Sequence, residues 1–92
     1  MTKQLADMAE HERPRERLAG HGPEVLRDAE LLALVLRHGR AGSSALAMAE
    51  QLLDDHGGLV GLASVRMEDL ARRPGMGPAK SASVVAACHL AA

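Results

Sequence analysis

Two glycines enclosing one apolar residue, Gly75-Met76-Gly77, stand just before Pro78, with Lys80 two residues further on. Glycine allows backbone angles and close approaches that a side chain forbids. Proline suits the first position of a helix, because the N–H it lacks would have no partner there. The spacing predicts the end of one helix, a tight turn plugged by Met76, and a second helix opening at Pro78. Amides of Gly75, Gly77 and the next turn, the positive end of the helix dipole and the Lys80 ammonium would form a small anion site. Arg72 and Arg73 add charge beside it. A second glycine break, Gly39 to Gly42, contains Arg40 and is followed by Ser43 and Ser44. It lacks the Gly-apolar-Gly core, so a turn with a serine helix cap accounts for it.

Other chemistry finds little support. His11, His21, His38, His56 and His89 are scattered, without the spacing of a metal site. Ser43 and Ser44 have no neighbouring His or Asp pattern that would make a nucleophile. Cys88, between Ala87 and His89, reads as a small core residue, and the five methionines as scattered gap fillers. No acid–base pair is visible, so the chain is read as non-enzymatic.

The elements that must position these residues are helical. The 92 residues suffice for one domain, and 47% are hydrophobic although Phe, Tyr and Trp are absent. An Ala- and Leu-rich core without alternating apolar runs indicates an all-α fold of five to six short helices. Residues 1–12 read as a flexible arm. Pro14 opens a short helix that Gly20 and Gly22 close, and Pro23 to Arg27 is a turn. Asp28 caps a strongly apolar helix, Ala29 to Arg37, which should be the buried centre. Ser43 or Ser44 caps a helix to about His56, with Ala45, Met48, Ala49, Leu52 and Leu53 inward. Gly57-Gly58 stops it, Leu59 to Ala63 connects, and Ser64 to Arg72 leads into the second turn. Arg13, Arg15 and Arg17 suggest a phosphate clamp, but Glu12 and Glu16 are interleaved and favour a solvated helix with local ion pairs.

Charge is distributed unevenly. The net charge of −1 argues against binding nucleic acid by bulk charge, and the lack of aromatics removes base stacking. Yet every acidic residue lies outside Leu31–Ala49 and Leu70–Ala92. The first stretch carries Arg37 and Arg40, and the second carries Arg72, Arg73 and Lys80. Both turns are locally positive. A single cysteine makes a cytoplasmic location the default, and no apolar run is long enough to span a membrane.

The stretch Leu70, Gly75, Met76, Gly77, Ser81, Val84, Val85 resembles a helix-hairpin-helix motif, with Arg73 where an apolar residue is usual and Ser81 where alanine is commonest. The layout repeats, with hairpins near 39–43 and 73–77. This resembles a tandem helix-hairpin-helix domain over residues 13–92, similar to the second domain of RuvA. The segments Glu12–Leu18, Gly22-Pro23, Asp28–Ala33, Gly39-x-x-Gly42-x-Ser44 and Gly75–Lys80 resemble the amino-terminal domain of the bacterial RadC family. Arg27 stands where that family has Ser or Thr, which leaves Asp28 as the expected cap. The resemblance implies sequence-independent DNA binding, in repair or recombination, by backbone amides of Gly75, Gly77 and Lys80. Arg72, Arg73, Met76, Gly39, Arg40, Gly42 and Ser44 complete the expected surface. It further implies a monovalent cation on the carbonyls of Ala71, Arg73 and Met76. In that family a metal-hydrolase-like domain of the JAB/MPN type follows, and this chain lacks its His-x-His pattern. An excised or truncated amino-terminal domain is therefore expected. The competing class is an interaction module that docks such a hydrolase domain or dimerises, with Glu50, Asp54 and Asp55 as part of its surface.

Overall fold

A computed structural model describes residues 13–91, and the arm read at 1–12 lies outside the described residues. Helices α1 (Pro14–His21), α2 (Asp28–Leu36), α3 (Ala45–His56), α4 (Leu59–Ala63), α5 (Met67–Ala71) and α6 (Gly77–Ala91) follow one another, with a 3-10 turn at Pro23–Val25. No β-strand occurs among the described residues, and the expected all-α class is what the chain adopts. Pro14 occupies the start of α1, and the helix runs through Gly20 to His21 before Gly22 breaks it.

The start of α2 differs from expectation. Arg27, not Asp28, is the N-cap, and Asp28 is the first helical residue. The reason lies three residues on. The Glu30 carboxylate accepts the Arg27 backbone N–H at 3.1 Å, so the Glu half of a capping box persists although the Ser/Thr half is gone. Nor is α2 buried all round. Leu32, Ala33 and Leu36 are buried, whereas Leu31, Leu34 and Val35 are only partly covered.

Ser44 caps α3 as the sequence suggests, its Oγ accepting the Ala47 N–H at 3.0 Å. Ala45, Leu46, Met48, Ala49 and Leu52 face inward. Gly57, with φ 73°, ends the helix in the left-handed conformation. The helix expected over Ser64 to Arg72 is shorter, at Met67–Ala71. Ser64 instead closes α4, its N–H donating to the Gly61 carbonyl at 3.1 Å and the Val65 N–H to the Leu62 carbonyl at 3.2 Å, and Arg66 precedes α5 in an extended conformation.

The core gathers one or more residues from each helix after α1, including Leu36, Ala49, Leu52, Leu62, Leu70 and Val84. Helix α2 packs on α1, α3 and α6, while α5 packs on α6. Burying such a Leu contributes roughly 1.5–3 kcal/mol, so these side chains fix the helix positions. Two loops then share one end of the molecule: residues 37–44 between α2 and α3, and residues 72–76 between α5 and α6.

Candidate nucleic-acid interface

The first loop is tightly made. Arg40 and Ser43 exchange backbone hydrogen bonds of 2.9 and 3.0 Å, forming a four-residue turn with Gly42 in third position. A Cβ on Gly39 would lie 2.1 Å from the Ser43 carbonyl oxygen, so only glycine fits there. Upstream, Arg37 has φ 69° and ψ −53°, and the His38 N–H donates to the Leu36 carbonyl at 2.8 Å. That is a γ-turn with positive φ, a rare and strained form. Arg37 is the one non-glycine residue with positive φ among the described residues.

The second loop is built differently. Met76 is 3% exposed and plugs the corner as expected, while its N–H donates to the Arg73 carbonyl at 3.1 Å. That carbonyl is one of the three oxygens the resemblance assigns to a cation, and it keeps a second lone pair. Gly75 has φ 82°. Ser81 is fully buried and donates to the Gly77 carbonyl at 2.7 Å, so a small polar residue serves at the close packing point.

The two loops meet. A Cβ on Gly75 would come within 2.7 Å of Arg40 Cδ, so the Arg40 stem lies directly on the second turn. Lys80 Nζ donates to the His38 carbonyl and, at 3.4 Å, to the Gly39 carbonyl. Its ammonium thus joins the loops as well as adding charge. Arg40 and Arg73 line a groove of about 240 Å³ with Ser43, Gln51, Pro74 and Met76.

Not every expected residue joins this surface. Arg72 turns toward Asp69 at 3.7 Å and remains largely exposed. Ser44 is committed to capping α3, and Gly42 sits at the exposed tip of its turn. Arg73 donates to Asp55 at 2.7 Å, and Gln51 donates to the same carboxylate at 2.8 Å. The Arg73 and Gln51 bonds hold the Asp55 carboxyl below its ordinary pKa. Gln51 was not among the expected site residues, and Asp55 was expected only on the surface of an interaction module. Their spacing puts them on one face of α3, but the sequence does not reveal what that face meets.

Of Arg13, which precedes α1 as its N-cap, and Arg15 and Arg17 within it, Arg17 is held by α2. It donates to Glu30 and, at 2.9 Å, to the Val25 carbonyl. Burial pushes the Glu30 carboxyl up, but the Arg27 N–H, the Arg27 guanidinium and Arg17 outweigh it, so its pKa lies below the ordinary value of 4.5. This cluster ties α1 to the start of α2.

Residues 5–82 match the model of the UPF0758 N-terminal family. The chain belongs to that family. UPF0758 is the RadC-like family that the sequence resembles. The chain is 52% identical over 86 residues to the UPF0758 protein Bpet3149 of Bordetella petrii, covering 94% of this chain and 38% of that protein. It is 51% identical over 86 residues to a UPF0758 protein of Desulforudis audaxviator, covering 94% and 37%. A UPF0758 protein of a Polaromonas species shows 49% identity over 87 residues, covering 95% and 39%. This UPF0758 N-terminal chain therefore spans less than two fifths of those relatives. No solved structure matches it. No described helix is long and apolar enough to cross a membrane.

Proposed function

We propose that the chain is a non-catalytic, sequence-independent DNA-binding module of tandem helix-hairpin-helix type, serving DNA repair or recombination. The observation that carries this reading is the junction of the two loops. Arg40 lies on Gly75, and Lys80 is bonded to the His38 and Gly39 carbonyls. Two stretches free of acidic residues thus become one cationic surface on a chain of net charge −1. Backbone amides and arginines there would neutralise phosphates, which position a protein without reading bases. Two to five such contacts give affinity on the order of 10⁻⁴ to 10⁻⁶ M near physiological salt.

Fluorescence anisotropy with labelled duplex and four-way-junction DNA at ~50 and ~200 mM salt tests it. Binding that weakens with salt and is lost in Arg40→Glu supports the reading. No binding at ~100 μM protein overturns it.

A second reading rests on a different surface. Leu31, Val35, Leu59, Val60, Ala87 and Cys88 line an apolar groove of about 510 Å³ between α2, α4 and α6. Val60 is 86% exposed beside it. Such a surface suits a protein partner, for which a hydrolase-like domain in the longer relatives is the candidate. Binding of the carboxy-terminal part of the Bordetella petrii relative, abolished by Val60→Asp, would establish this alternative.

A further inference from the structure

Arg13, Arg15, Arg37 and His38 share a groove of about 390 Å³ between the start of α1 and the end of α2, floored by Pro14, Ala33 and Leu34 and edged by Glu16. Among the described residues three guanidinium groups and one carboxylate line it. The Arg13 Nε is buried yet has no hydrogen-bond partner among the described residues. A buried donor of that kind ordinarily has one, and a guanidinium N–H calls for an oxygen acceptor. Among the described residues Arg15 reaches only Glu16, at 3.8 Å, and it is 83% exposed. Arg37 and Arg13 make no ion pair with another described residue.

The position of Arg37 adds an independent observation. Its φ of 69° is held by the γ-turn bond from His38 to Leu36. Glycine would adopt that backbone without strain. Strain retained at an arginine points to work for its side chain. The groove is also continuous with the loop surface, because the His38 carbonyl that follows Arg37 is the one that accepts from Lys80.

We infer that the groove formed by Arg13, Arg15, Arg37 and His38 is a second phosphodiester site, seating backbone phosphates of the DNA strand that the two loops contact. The inference rests on the DNA-binding reading above. The Arg13 guanidinium, with its orphaned Nε–H, takes an oxygen of one phosphate, and Arg15 and Arg37 neutralise its neighbours along the strand from the rim. Charge-assisted bonds between arginine and phosphate are among the strongest such contacts.

The test compares wild type, Arg40→Glu and the double variant Arg13→Gln/Arg37→Gly by anisotropy with the same duplex across ~50–200 mM salt. Glycine at position 37 accepts the existing backbone, and Arg15→Gln, at an exposed side chain, serves as a second variant. Circular dichroism confirms that each is folded. The double variant should bind roughly tenfold or more weakly, and its slope of log K against log salt should fall by about 1.8, the equivalent of two phosphates. Arg15→Gln should lower that slope by about 0.9. Wild type that fails to bind overturns the DNA reading and the groove together. Wild-type binding lost in Arg40→Glu but unchanged in both groove variants overturns the groove alone. An acidic peptide captured by the groove, with DNA affinity equal in all groove variants, would assign it to a protein partner instead.

Discussion

The two loops occupy corresponding places, each turning one helix into the next, yet they are stabilised by different means. The second turn is locked by burial. Met76 is 3% exposed, and its hydrophobic side chain closes the corner between α5 and α6. The first loop has no such plug. It depends on the Arg40–Ser43 bridge, the Ser44 cap and the bonds its carbonyls accept from Lys80. The comparison teaches that one loop is a self-sufficient corner and the other borrows part of its order from it. The borrowed loop is the one that retains a strained arginine.

The largest expected effect is at the plug. Met76→Ala should cost about 2–5 kcal/mol in urea unfolding, the range for a buried methionine. The corresponding lesion in the first loop, Gly39→Ala, forces the backbone away from the Ser43 carbonyl and should cost about 1–3 kcal/mol. A larger cost for Gly39→Ala than for Met76→Ala would reverse the comparison.

Acid should separate the two sides. Glu30 anchors α2, and its folded pKa lies below the ordinary 4.5. A depressed carboxylate pKa contributes stability that is present above the unfolded value and lost as pH falls through the folded one. Amide exchange in α1 and early α2 should therefore rise below about pH 4.5 before that in α6. Glu30→Gln, which leaves Arg17 without its charged partner, should cost about 1.5–3 kcal/mol at pH 7 and flatten that dependence.

The smallest effect on stability concerns Asp55. Asp55→Asn removes the charge that occupies Arg73 and should leave the melting temperature nearly unchanged. Under the DNA reading it should also tighten binding and steepen the salt slope by about 0.9, because Arg73 becomes available to one more phosphate. Unaltered binding would restrict the cationic surface to Arg40 and its neighbours.

Much of the fold was legible because its signals are local. Pro14, Ser44, Gly57 and the Gly75-Met76-Gly77 run each dictate backbone geometry within a few residues, and the structure follows them. The errors arose where a neighbour slightly further away decided the outcome. Asp28 yielded the cap position because Glu30 reaches back to the Arg27 N–H. Ser64 closed α4 because the Gly61 carbonyl took its N–H and the Leu62 carbonyl took that of Val65. At the candidate site, the positive charges were visible but their partners were not. Arg13, Arg15 and Arg17 look equivalent in sequence, yet Arg17 alone goes to Glu30 while the other two reach a groove with Arg37 and His38.

The sequence by itself determined the helical class, the glycine turns, the burial of Met76 and the segregation of acidic residues from both loops. These follow from backbone preference, apolar side-chain placement and the order of charges along the chain. Only the tertiary structure decided that Lys80 would hold carbonyls forty-two and forty-one residues away, that Arg73 would meet Asp55, and that Arg37 would share a groove with Arg13. Such pairings depend on where packing leaves the loops, because a charge can be read from one position but its partner is chosen by the core.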